Sequence, residues 1–257
     1  MLMPLIAAFV VGAVVGSFLN VCIWRVPAGE SVVYPPSHCP GCGMHIRSAD
    51  NIPLLSYLLL RGRCRACGVR ISPRYPAVEA LTGIMFAVLL WEFGPSVVLG
   101  VYAGFVAALI VITFIDLDHQ IIPDAISLPG IAVGLVCAAL GYGPPLLDSA
   151  IGVGLGGGTL YAIAVGYHAL TGREGMGGGD IKLLAMIGAF LGWRGVLVTL
   201  VLGSFTGAVV GITLILARGA DARLPIPFGP FLALGAVCAL LFGDPLIHWY
   251  LHFALPA

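Results

Sequence analysis

The chain has 257 residues, of which 60% are apolar and only 9% charged, against roughly 25% charged in an ordinary soluble domain. Its twelve basic and twelve acidic residues cancel to zero net charge, which argues against a nucleic-acid binder, and so large an apolar fraction excludes disorder and a collagen-like repeat. With a mean hydropathy of +1.06, the polypeptide cannot cover its exterior with polar groups and must take the lipid bilayer as part of its solvent.

The first apolar run, residues 2 to about 24, is long enough to cross a bilayer, which takes about 20 residues at 1.5 Å each. No basic residue precedes it and Arg25-Val26-Pro27 follows, so it reads as a retained span and not as a secretory signal. Ser17 and Asn20 in its last turns are expected to hydrogen-bond across helices. Polar residues dominate to about Pro76, and apolar stretches return near 78–92, 96–115, 125–140, 149–170, 181–193, 196–217 and 229–250. The expected fold is an all-α polytopic membrane protein of about eight transmembrane helices. Glycines four apart, at 12 and 16, 152 and 156, 154 and 158, and 203, 207 and 211, have the spacing that lets helices pack closely in lipid.

Short cytoplasmic loops retain basic residues. Arg25, Arg47, Arg61, Arg63, Arg65, Arg70 and Arg74 lie in or at the ends of the first loop, Arg173 and Lys182 flank the connection between spans five and six, and Arg218 and Arg223 follow span seven. Only Arg194 falls on the other side. The first loop is therefore expected in the cytoplasm, with both termini outside.

That loop carries Cys39-Pro-Gly-Cys42 and Cys64-Arg-Ala-Cys67. Each CxxC turn can aim two thiolates at one point, and two turns complete the tetrahedral four-sulfur shell of a closed structural zinc site. Two disulfides are the alternative, which a reducing cytoplasm disfavours. Arg63 and Arg65 beside Cys64 could offset the negative charge of such a centre. Cys22, Cys137 and Cys238 lie in apolar runs and read as small buried hydrophobes.

Ionisable residues at span ends demand a reason, because burial makes them expensive. Asp116, Asp118 and Asp124 follow the third span, and Asp180 stands in Gly175-Met176-Gly177-Gly178-Gly179-Asp180 before the sixth. Two intervening spans return the chain to the same face, so Asp116 and Asp180 can meet. Two close carboxyl groups sharing a proton suit hydrolysis. The plainer alternatives are loop carboxylates or a helix cap for Asp118 and Asp124, and a cap of the sixth helix for Asp180.

Taken together, these blocks resemble the type IV prepilin peptidase family, bacterial leader peptidases that serve type IV pili and type II secretion. The resemblance is carried by Gly16-Ser17-Phe18-Leu19-Asn20-Val21, both CxxC pairs, Asn51-Ile52-Pro53, Arg61-Gly62-Arg63-Cys64 and Tyr75-Pro76-Ala77-Val78-Glu79. It continues through Ile115-Asp116, Ile122-Pro123-Asp124, Gly177-Gly178-Gly179-Asp180-Ile181-Lys182-Leu183-Leu184 and Ile226-Pro227-Phe228-Gly229-Pro230. It implies an intramembrane aspartic endopeptidase of the GxGD type with Asp116 and Asp180 as its catalytic pair. The implied substrate is a prepilin or pseudopilin helix with a short basic leader, cut on the cytoplasmic side of the bacterial inner membrane. Many members then methylate the new N-terminus with S-adenosylmethionine, to which no residue is assigned here.

The expected organisation is a first span over 1–24, a cytoplasmic zinc domain held by Cys39, Cys42, Cys64 and Cys67 over 25–77, and a seven-span peptidase domain over 78–257. Two other classes compete. A transporter would use the carboxylates as a proton or cation site, and a headgroup transferase would gather Asp116, Asp118 and Asp124 around magnesium and leave Asp180 idle.

Overall fold

The computed structural model describes residues 2–172, 177–218 and 226–254. Arg173, Gly175, Met176 and Arg223, named above, lie outside the described residues. Among the described residues, eight α-helices run in the order α1 (Leu2–Arg25), α2 (Leu55–Leu59), α3 (Arg74–Phe93), α4 (Val97–His119), α5 (Asp124–Ala139), α6 (Leu146–Thr171), α7 (Gly178–Arg218) and α8 (Gly229–Ala254). The described residues contain two isolated β-bridges and no strand.

Six of these helices are long and apolar enough to cross a membrane, and α5 is a shorter apolar helix. The 41-residue α7 joins the sixth and seventh expected spans across Gly192, whose φ of 68° breaks the helical path. Only glycine takes that left-handed conformation without strain. Dividing α7 there yields the eight apolar segments expected from the sequence, in the same order. The third span runs further than its apolar stretch, so Asp116 and Asp118 are helical residues of α4 and do not follow it.

The chain forms two compact units, Met1–Val111 and Ile112–Ala257. Within the first, α1 packs on α3. A Cβ on Gly12 or Gly16 would stand 2.7 Å from the Thr82 carbonyl oxygen or the Glu79 Cα, so small residues set this helix approach. Polar groups fasten it further. Asn20 Nδ2 donates to the Tyr75 carbonyl at 3.1 Å, and the Ser17 hydroxyl bonds the buried Glu79 carboxylate. Glu79 also accepts the Leu54 N–H at 2.8 Å, tying the loop before α2 to the helix pair.

Within the second unit, α7 packs against α5, α6 and α8. Gly152 and Gly156 of α6 meet backbone at Gly188 and Leu184, and Gly203 of α7 meets the Phe231 carbonyl. Gly154 and Gly158 face open space, so the close-packing expectation holds for one of those two glycine rows.

Candidate active site and thiol cluster

In α4 the buried residues Phe105, Leu109, Ile112 and Asp116 follow the three- and four-residue steps of one helix face. Asp116 therefore prolongs an apolar stripe into the last turn, and only 4% of it is exposed. Asp118, about 200° further round the helix, is exposed. An N–H from Gly229, the first residue of α8, donates to Asp116 Oδ2 at 2.9 Å. The bond holds the carboxylate in one orientation and satisfies an oxygen that burial has removed from water.

Asp180 lies in the first turn of α7 and is half-buried. Ile122 brings the two carboxylate-bearing segments together. A Cβ on Gly179 would stand 2.8 Å from the Ile122 Cβ, and one on Gly229 would stand 3.4 Å from Ile122 Cδ1 and 2.6 Å from Asp116 Oδ2. The absence of side chains at 179 and 229 thus lets three segments close on one point, where Asp116 is near enough to act electrostatically on Asp180. The close approach at Gly179 is made by the protein's own Ile122, whereas Gly178 faces open space.

A second tie runs alongside. Lys182 Nζ lies 2.7 Å from both carboxylate oxygens of Asp124, linking the second turn of α7 to the first residue of α5. Pro123 occupies the N-cap of α5 without a side-chain cap bond, so Asp124 acts as an ion-pair partner and not as a helix cap, one of the two plain roles its sequence position left open. Both side chains are over a third exposed, so the pair contributes no more than about 1 kcal/mol.

The thiol cluster belongs to the first unit. Cys39, Cys42, Cys64 and Cys67 place their sulfurs within 4.8 Å of one another, and the Cys39 and Cys67 Sγ atoms are 3.8 Å apart. Four sulfurs at about 2.3 Å from zinc stand about 3.8 Å apart along each tetrahedral edge, so the cluster fits that ion. The two turns share one hydrogen-bond pattern. Cys39 N donates to Met44 O at 2.9 Å and Gly43 N to Cys39 O at 2.8 Å; Cys64 N donates to Val69 O at 2.9 Å and Gly68 N to Cys64 O at 3.0 Å. Gly43 and Gly68 both take φ near +70°, which glycine reaches freely.

The backbone N–H groups of Cys67 and Ala66 pull the Cys64 thiol down to about 7. Cys67 is pushed up to about 11: the Val69 N–H favours its thiolate, but desolvation and the thiols of Cys42, Cys64 and Cys39 oppose it together. A cation is what lets four such groups ionise side by side. Arg65 does not serve as that counter-charge, because its guanidinium is bound to Asp50 at 2.6 to 3.0 Å.

All seven cysteines are free thiols. Among the described residues the four loop cysteines form the one group of three or more ligating side chains able to hold a metal. Asp116, Asp118 and Asp124 do not converge, which removes the geometry a magnesium site would need. The chain is therefore a multi-pass helical membrane protein with a buried aspartate, Asp116, near a half-buried one, Asp180, and a four-thiol cluster able to hold a metal.

Residues 10–93 match the bacterial peptidase A24 N-terminal domain and residues 103–212 match the type IV leader peptidase family. A prepilin leader peptidase/N-methyltransferase of Stutzerimonas stutzeri is 39% identical, with 97% of this chain and 94% of that protein aligned. A protein of the same description from Pseudomonas aeruginosa is 38% identical at the same coverage. One from Myxococcus xanthus is 46% identical over 84% of this chain and 65% of its own length. No solved structure matches the chain. The chain belongs to the type IV leader peptidase family, and nothing in these likenesses favours a transporter.

Sequence reasoning missed Gly229 and Ile122 as parts of the aspartate site and Glu79 as the anchor of the loop. Gly229 stood within a quoted motif, Ile226-Pro227-Phe228-Gly229-Pro230, but its partner lies 113 residues away, and no local pattern reports such a contact.

Proposed function

We propose that this chain is the endopeptidase that removes the short basic leader of a prepilin or pseudopilin at the cytoplasmic face of the bacterial inner membrane. Asp116 and Asp180 form the catalytic pair. The observation that carries this reading is the convergence of α4, α7 and α8 on Ile122, with the Gly229 N–H fixing Asp116. Two neighbouring carboxyl groups that hold one proton between them can divide the work of peptide hydrolysis. The ionised one takes a proton from water as the oxygen attacks the scissile carbonyl. The protonated one donates to the carbonyl oxygen, and a proton then passes to the departing amine as the C–N bond breaks. The segments organise as a first span, a zinc domain over 25–77 and a seven-span peptidase domain over 78–257.

The relatives' descriptions also support a second step in which the new terminal amine takes the methyl group of S-adenosylmethionine. Intact-mass measurement of a prepilin incubated with the purified protein separates the two activities. Loss of the leader mass is expected, with a further methyl mass when S-adenosylmethionine is added. An unchanged prepilin mass would overturn the peptidase reading.

Cys39, Cys42, Cys64 and Cys67 hold zinc, which when bound closes the loop and, with four protein ligands, leaves no position for substrate. One zinc per chain is expected by metal analysis after chelator-free purification under reducing conditions. Cys39→Ser should lower that content, and a ratio near zero in the parent would contradict the assignment.

Residues 25–76 face the cytoplasm on the division of basic charge. In intact cells, an impermeant thiol reagent should modify Cys introduced at Ser96 and spare Cys introduced at Ser31, with peptide mass spectrometry distinguishing these sites from native thiols. The reverse pattern would invert the topology and the side of cleavage.

A further inference from the structure

The loop before α3 holds a cavity of about 540 Å³ whose lining includes Tyr57, Arg61, Arg63, Arg70, Ser72 and Pro73. None of its lining residues is acidic. Arg63 and Arg70 face each other across an antiparallel bridge, and Arg61 is held at a φ of 52°. Gly62 closes the turn between them, its N–H donating to Tyr57 O and its carbonyl accepting from Ile71 N. Two of the loop's other arginines are employed differently. Arg65 is spent on Asp50, and the buried Arg25 donates to the Ser31 and Pro35 carbonyls.

Beside the cavity, α2 is turned inside out. Its Ser56 is buried, with the hydroxyl donating to Ala49 O and accepting from Ile52 N. Leu58 and Leu59 are each 72% exposed, and Leu55 is exposed too. A solvated loop domain would bury leucines and expose the serine.

Position supplies the third observation. The 20 residues of α3 extend about 30 Å, the full thickness of a bilayer's hydrocarbon core. Its first residue, Arg74, is therefore at the membrane surface, and Ser72 and Pro73 of the cavity lie within two residues of it. Arginines with no carboxylate among them, next to outward leucines at that depth, match a lipid phosphate above acyl chains. A basic leader peptide would be repelled from the same cavity.

The geometry points to a binding site for the phosphate-bearing headgroup of an anionic phospholipid, formed by Arg61, Arg63 and Arg70, with Leu58 and Leu59 of α2 entering the interface. The site anchors the cysteine loop to the bilayer independently of the catalytic pair.

Native mass spectrometry of the full-length protein in detergent, titrated with phosphatidylglycerol, phosphatidylcholine or inorganic phosphate, tests the site. Phosphatidylglycerol should bind in preference to phosphatidylcholine. The triple variant R61Q/R63Q/R70Q should lose that binding by roughly a hundredfold, each basic side chain near an anionic surface contributing about fivefold. Leu58→Ser with Leu59→Ser should weaken phosphatidylglycerol binding without changing that of inorganic phosphate. The single variant Arg70→Gln covers a triple variant that fails to fold and should lose about fivefold, with Arg47→Gln, outside the cavity, unchanged. Equal binding of the two lipids, parental binding by the triple or single variant, or displacement of phosphatidylglycerol by equimolar inorganic phosphate would overturn the proposal. The last outcome would identify a soluble phosphate ligand instead.

Discussion

Asn at either Asp116 or Asp180 is expected to bring prepilin cleavage to background while the protein still inserts at parental abundance. Asn keeps the size and much of the polarity of the side chain but cannot exchange the proton, and one acid or base group contributes roughly 10²–10⁴ in rate. The control variants are built into the same segments. Asp118→Asn alters an exposed residue on the other side of α4, and Asp124→Asn weakens an exposed ion pair with Lys182 worth no more than about 1 kcal/mol. Both should retain most of the activity, read as the fraction of prepilin processed in membranes with matched protein levels. Substantial turnover by Asp180→Asn would remove that residue from the mechanism.

Gly229→Ala is expected to slow cleavage by roughly a hundredfold, the order of effect that a displacement near 1 Å produces at a reacting group. The added Cβ would stand 2.6 Å from Asp116 Oδ2, closer than carbon and oxygen tolerate without a bond. Either the carboxylate swings away from its N–H donor or α8 shifts, and both misalign Asp116. Single-turnover rates with saturating prepilin should fall while abundance holds. Gly154→Ala, which enters open space on α6, should cleave at the parental rate. A Gly229→Ala enzyme as fast as the parent would show that this contact does not position the catalytic carboxylate.

Much of the architecture was legible because lipid imposes a coarse rule. Long apolar runs between Gly/Pro turns become helices, and the eight apolar segments stand where those runs do. Boundaries failed where chemistry overrode hydropathy. α4 continues past its apolar stretch because Asp116 falls on the buried helical face, and the sixth and seventh segments join through a single left-handed glycine, Gly192, in place of a polar loop. Ser17 and Asn20 do bond across helices as expected.

The thiol cluster was legible for a local reason. Cys39-Pro-Gly-Cys42-Gly43 and Cys64-Arg-Ala-Cys67-Gly68 repeat one turn in full, and the glycine after each second cysteine is the residue that the turn's positive φ demands. The aspartate site was legible only as two candidate residues. What orients them comes from the Gly229 N–H and Ile122, contacts between segments far apart in the chain. Partnerships such as Arg65 with Asp50 and Lys182 with Asp124 were equally hidden, because a charged residue in a loop carries no local record of which opposite charge it meets.

Comparing residual cleavage by Asp116→Asn, Asp180→Asn and the double variant, in membranes of equal abundance, tests most directly whether the two carboxylates act as one catalytic unit. Groups that work together are strongly non-additive. The expected result is three equally low rates, with the double variant no slower than either single one. A double variant whose loss equals the product of two partial single losses would contradict a shared acid and base role for Asp116 and Asp180.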